Sequence, residues 1–297
     1  MIDAPPNAPL CASPDFKPRT PSLKLPNGAC DSHAHICGPI ADFDYSPERI
    51  YTPPDCLLSD YTKMLSTLGV SKAVLVQPSI YGTDNTVMLK AMAEATIPIR
   101  GVAVVDGSIS DNELADMHQA GVRGVRYNIV DVADPSGDIP LDDVKAMAER
   151  IKSMGWHVEF LIHTDDYANF DEIFSNFPTD IVVGHLGYMR PGQDTNIPGF
   201  QALLRLMQAG KCWTKLTGPY RISSGDVPYA DTIPFAHALI DAAPDQVIWG
   251  TDWPHVMVKK PMPNDGDICD LLADWVPDAK NLKRVLVDNP NRLYDLS

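Results

Sequence analysis

The sequence predicts an α/β protein built as one (β/α)8 barrel, the TIM-barrel architecture, and three observations carry that reading. From residue 28 onward, short β-branched runs alternate with longer amphipathic segments, the pattern of parallel strands joined by helices. Eight strand-led units can be counted, a number that suits closure of the sheet on itself. No Gly-x-Gly-x-x-Gly follows a strand, so the competing doubly wound open sheet lacks its usual signature.

The elements follow in order. Ala29–His35 forms the first strand, followed by the Pro-, Asp- and Tyr-rich segment Cys37–Pro54 and a helix over Cys56–Leu68. Lys72–Gln77, Gly101–Val105 and Gly124–Asn128 are the next three strands, with helices at Asn85–Ala95, Asp111–Gln119 and Leu141–Ser153. His157–His163 is the fifth strand. Ile181–His185 leads to a helix at Phe200–Gln208, Cys212–Leu216 to one at Thr232–Ala242, and Gln246–Trp249 is the eighth strand. Without a linker, charge block or internal repeat to interrupt this alternation, residues 28–297 read as a single barrel domain and residues 1–27 as a Pro-rich N-terminal arm. The Cys37–Pro54 segment exceeds the usual length of a strand-to-helix loop, which in a barrel marks it as a lid or substrate wall.

Composition narrows the chemistry. The chain has 297 residues, 44% hydrophobic and 21% charged, enough for a sizeable core. Its formal charge of -15 argues against a nucleic-acid partner. An anionic substrate would have to be held by a few local arginines rather than by the overall field. No run of about 18 apolar residues predicts a membrane span, and the N-terminus lacks the basic-then-apolar order of a secretory signal. Cys11, Cys30, Cys37, Cys56, Cys212 and Cys269 form no Cys-x-x-Cys pair, which fits reduced thiols in the cytoplasm. Cys37, close to His35, reads as a small buried hydrophobe before it reads as a nucleophile or ligand. Self-association into a homo-oligomer is left open.

In a barrel, chemistry gathers at the C-terminal ends of the strands. His33 and His35 close the first strand, His163 the fifth and His185 the sixth, and Asp252 follows the eighth, so four of the eight histidines share equivalent positions. A lone histidine at such a place is commonly structural; their joint placement is not so easily explained. Neutral imidazoles with a carboxylate are usual zinc ligands, and an open coordination position acidifies bound water. His118, His157, His237 and His255 are structural by default, with His255 the first exception to consider because it lies three residues past Asp252.

These residues resemble the amidohydrolase superfamily, whose barrels carry His-x-His on strand one, His on strands five and six and Asp on strand eight. More narrowly the chain resembles the lactone hydrolases related to 2-pyrone-4,6-dicarboxylate lactonase, those of the 4-sulfomuconolactone type before the pyrone enzymes themselves. The supporting segments are Asp31–His35 with Gly38-Pro39, Gln77–Asn85, Gly121–Asn128, Val247–His255 and Asn289–Tyr294. The resemblance implies an amidohydrolase-type barrel and hydrolysis of a small anionic lactone in aromatic-compound breakdown. Asp252, which matches the family's general base, or else His185 would take the proton from water. His33, His35 and His185 match the family's polarising or metal-binding histidines, the oxyanion being stabilised by the ion or by His185. His33, His35, His163 and Asp252 would hold a divalent metal, zinc or else manganese, with metal-free action left open. Tyr51, Ser79, Arg126 and Arg221 would bind the substrate's carboxylates or lactone oxygens, Arg126 being otherwise, like Arg123, a barrel salt-bridge partner.

Departures from the pyrone enzymes matter. Asn128–Val132 carries no cation where a further arginine is expected, Tyr188 stands at the place of another, and Leu161 replaces a tyrosine. Tyr188 becomes a candidate substrate contact, the clamp on a second carboxylate weakens, and His163 strengthens the case for a metal. A non-oxidative decarboxylase and a sugar lactonase are the rivals inside the superfamily, and a non-catalytic sugar-acid or metal-binding barrel the rival outside it.

Overall fold

The structure, a computed structural model, describes residues 8–132 and 138–296. Eight parallel strands, β1 (Cys30–Ala34), β2 (Lys72–Val76), β3 (Ile99–Ala103), β4 (Val122–Asn128), β5 (His157–Leu161), β6 (Ile181–Val183), β7 (Cys212–Leu216) and β8 (Val247–Trp249), pair in chain order. The circle closes just past β8, where Asp252 N–H donates to His33 O at 2.9 Å and His35 N–H to Trp253 O at 2.8 Å. The expected barrel is therefore present.

Helices α1 (Leu58–Leu68), α2 (Thr86–Glu94), α3 (Asp111–Gln119), α4 (Leu141–Ile151), α5 (Phe170–Phe174), α6 (Pro198–Gln208), α7 (Pro219–Ile222) and α8 (Ile233–Ala242) connect the strands. Their starts and stops follow local chemistry. Ser110 and Glu113 form a reciprocal capping box on α3, Gly69 ends α1 in the left-handed region at φ 81°, and Pro198 opens α6. Beyond β8 come α9 (Asp265–Asp270), α10 (Leu272–Trp275), α11 (Ala279–Lys283) and α12 (Asn289–Tyr294), which the sequence pattern had left unassigned. Tyr294 and Leu296 pack with Cys30, Val74, Val102 and Ile248, so the C-terminus plugs the end of the barrel opposite the strand tips.

Observed strands β5 and β6 stop two residues short of His163 and His185, because the chain leaves both for short 3-10 turns at Thr164–Asp166 and His185–Gly187. Of the arm, residues 1–7 lie outside the described residues. The remainder is tied to the barrel: Thr52 Oγ1 donates to Ala8 O at 2.8 Å, and Arg19 pairs with Asp267 and Asp270 at 2.6 Å each. Among the described residues no helix is long and apolar enough to cross a membrane.

Candidate active site

Barrel closure builds the site. The hydrogen bonds that join the end of β1 to the chain after β8 hold Asp252 against the histidine pair, with Asp252 in the left-handed region at φ 65°. Asp31 braces the junction: its carboxylate accepts from His33 N–H, Thr251 N–H, Thr251 Oγ1 and Tyr61 Oη. The His33 and His35 rings lie 5.0 Å apart, edge to face. Their Nε2 atoms stand 3.6 and 3.9 Å from Asp252 Oδ1, too far for hydrogen bonds. Asp252 Oδ2 is fully engaged, accepting from Tyr220 Oη at 2.6 Å and Arg221 Nε at 2.7 Å. Oδ1 and His33 Nε2 are buried without a partner.

Two buried polar atoms that face each other without a partner mark a place where a cation or polar ligand would fit. His33, His35 and Asp252 offer one ligand atom each, all within 4.8 Å of one another, and among the described residues they are the group able to hold a metal. Their protonation suits the task. His35 Nδ1 lies 2.7 Å from Val76 O and must donate to it, which leaves Nε2 with its lone pair toward Asp252. Burial pushes His33 down to about 4 and His35 well below the ordinary imidazole value, so both are neutral at pH 7. Burial alone would raise Asp252, but Arg221 beside it and the surrounding imidazoles hold its carboxyl well below the usual range, and it is ionised. The residues present therefore fit a divalent ion with open positions.

Beneath this group lies a pair that sequence reasoning missed. Glu159 on β5 and Lys215 on β7 are buried and meet at 2.6 Å. Lys215 Nζ also donates to Ser32 O at 2.9 Å and stands 3.1 Å from His33 Nδ1, while Glu159 Oε1 lies 3.4 Å from the same nitrogen. The structure does not bring His163 into the group: its Nδ1 is bonded to Tyr188 O at 2.7 Å and its ring stacks on Tyr188 at 4.4 Å.

The narrow pocket above is lined by His35, Tyr51, Ser79, Arg126, Asn128, Asp131, Leu161, His185, Arg221, Asp252, Val256 and Met257. Tyr51, Ser79, Arg126 and Arg221 all line this one pocket. Arg126 is buried; its Nη1 donates to Gln77 O at 3.2 Å, and its Nε has no partner among the described residues. Tyr188, expected as a substrate contact, is not among these lining residues; its hydroxyl donates to Asp131 Oδ2, which is, at 3.1 Å. His185 reaches the pocket from a left-handed backbone, φ 53°. Thr217 Oγ1 accepts from His185 N–H at 3.2 Å and contacts Nδ1 at 2.8 Å. Gly218 is required here, since a Cβ would stand 2.9 Å from both Asp252 Oδ2 and His185 Nδ1. Cys37 takes no part: it is buried, its backbone pairs with Cys56, and burial pushes its thiol well up.

Comparison with known proteins agrees with this geometry. The chain is 38% identical over 287 residues to a 2-pyrone-4,6-dicarboxylate hydrolase of Comamonas testosteroni, covering 93% of each chain. It is 35% identical over 288 residues to a 4-sulfomuconolactone hydrolase of Rhizobium radiobacter, covering 96% of each. A crystal structure of an Agrobacterium tumefaciens protein superposes with a TM-score of 0.84 at 28% identity, over 93% of this chain and 99% of that one. A family profile described as Amidohydrolase matches residues 30–296, and the chain belongs to the amidohydrolase family.

Proposed function

We propose that this chain hydrolyses a small anionic lactone, with Asp252 as general base and His185 as the polarising donor. The observation that carries the reading is Asp252 Oδ1, ionised, buried and unpartnered beside the histidine pair in a pocket walled by Arg126 and Arg221. Thr217 Oγ1 accepts the His185 N–H and lies 2.8 Å from Nδ1; we assign its hydroxyl hydrogen to Nδ1, which places the imidazole proton on Nε2. His185 is then a donor to the developing oxyanion and not a base, and this divides the roles between the two candidates. Water oxygen bonds to the ring carbonyl carbon as Asp252 Oδ1 takes its proton. Collapse breaks the ring carbon–oxygen bond, and the proton passes to the departing ring oxygen.

His33, His35 and Asp252 would hold the divalent ion, zinc before manganese, and when bound it supplies Lewis acidity at the carbonyl and lowers the pKa of water. His33→Ala and His35→Ala are each expected to cut metal affinity at least about tenfold, read as bound metal after dialysis. Full activity in metal-stripped protein with Asp252 intact would show that hydrolysis does not need the ion.

Tyr51, Ser79 and Arg126 are proposed to hold the substrate's anionic group. Arg126→Met is expected to raise KM about 10-fold to 100-fold with kcat little changed, because a hydrogen-bonded charge pair is worth about 1.5–3 kcal/mol. A neutral lactone of the same ring, measured in parallel, should show no such difference. Within the class, 4-sulfomuconolactone is the first substrate to test, ahead of 2-pyrone-4,6-dicarboxylate: Asp131, an anion, occupies the wall where a second carboxylate would need a cation. Turnover of these two and of sugar lactones, with metal analysis of the same preparation, tests the reading. Carbon dioxide release from aromatic acids without any lactone opening would replace it with the decarboxylase.

A further inference from the structure

We propose that His255 and Asp265 are positioning residues that act through Tyr220 to keep Asp252 in its working orientation. The inference rests on Asp252 being the base, and it starts from a buried chain of contacts. Asp265 Oδ1 meets His255 Nε2 at 3.0 Å, His255 Nδ1 meets Tyr220 Oη at 3.1 Å, and Tyr220 Oη meets Asp252 Oδ2 at 2.6 Å. All four residues are buried, His255, Asp265 and Asp252 completely. His255 is held in the left-handed region at φ 59°, with its N–H bonded to Asp252 O at 2.8 Å.

The direction of the chain follows from donor counting. Tyr220 has one hydroxyl hydrogen, and the ionised Asp252 oxygen at 2.6 Å takes it. The Tyr220 oxygen is then an acceptor, so His255 Nδ1 carries a hydrogen and donates to it. A hydrogen also lies between His255 Nε2 and Asp265 Oδ1, since two facing lone pairs at 3.0 Å would repel. The result is a donor path from His255 through Tyr220 that ends on Oδ2, with Asp265 holding the far side of the imidazole. Together with Arg221 Nε it saturates that oxygen and leaves Oδ1 as the carboxylate's free face. Remove His255, and the Tyr220 hydroxyl loses the donor that holds its hydrogen on Asp252.

Two measurements test this. Ring 15N NMR of the intact wild-type protein should show His255 Nδ1 carrying hydrogen, and a bare Nδ1 would overturn the proposal whatever the substrate is. On the lactone that the enzyme turns over, His255→Phe and Tyr220→Phe should each lower kcat about 10-fold or more with KM within about threefold. The double variant should fall no further than the worse single, because both act through one hydroxyl. Multiplying losses, or a change confined to KM, would sink it. Asp265→Asn, nearly isosteric, guards against misfolding: it should lower kcat by less than His255→Phe while circular dichroism matches wild type. Failure of every lactone to react would remove the proposed function yet leave the NMR result standing.

Discussion

Asp252→Asn is expected to lower kcat by about 10² to 10⁴-fold, the usual worth of a positioned general base, in a protein that still folds. The geometry says why the loss should be so complete. Two donors, Tyr220 Oη and Arg221 Nε, converge on Oδ2, so the asparagine must turn its carbonyl oxygen to them. Its amide nitrogen then occupies the place of Oδ1, facing the Nε2 atoms of His33 and His35 at 3.6 and 3.9 Å. That nitrogen has no lone pair to take a proton from water or to ligate a cation, so base and metal donor disappear together. Asparagine, like aspartate, tolerates the left-handed φ of 65° at this position, so the backbone should be kept. Arg221 loses its ionic partner in a buried setting, and a lower Tm should accompany the lost activity. Steady-state kinetics with circular dichroism on the same sample decide the matter. A variant that keeps a tenth of wild-type kcat would remove Asp252 from the role of base.

How much of this was legible before folding depended on the range over which each signal acts. Strand Cys212–Leu216 and helix Asp111–Gln119 emerge with the bounds that the sequence predicts, because the alternation of short extended runs with amphipathic segments is a local signal. The histidine pair was legible as a pair, and Asp252 and His185 as its company, since residues at barrel strand ends converge by topology. His163 misled because its strand stops at Leu161, and the two residues that follow carry the ring aside onto Tyr188. Glu159 and Lys215 were hidden for the opposite reason. Each sits mid-strand among apolar residues, and nothing local says that the two point at the same histidine across the barrel. The Tyr220–His255–Asp265 chain is equally non-local, spanning α7, the loop after β8 and the start of α9. His255 stood out only by its nearness to Asp252.

The Glu159–Lys215 pair should show the largest effect on stability. Burial pushes the Lys215 ammonium below its ordinary value, with Glu159 opposing. Burial would likewise raise Glu159, but Lys215 and His33 outweigh it and hold its carboxyl well below the usual range. Such a pair adds little over an apolar replacement, yet leaves a stranded charge when one half is removed. Lys215→Met and Glu159→Leu are therefore each expected to cost about 3–5 kcal/mol in urea unfolding, and the double variant much less than their sum. The pH dependence has a definite sign. A depressed carboxyl contributes stability above its unfolded value of about 4.3, lost as pH falls toward the folded one. Wild type should accordingly lose stability over that acid range more steeply than the double variant. Function should separate from stability in the same protein. With both side chains gone, His33 Nδ1 faces neither Glu159 nor Lys215, the ring is no longer oriented from behind, and metal affinity should fall about 10-fold to 100-fold even where the fold has recovered. Additive losses in the double variant, or unchanged metal affinity, would mean that the pair merely fills the barrel and does not hold the histidine.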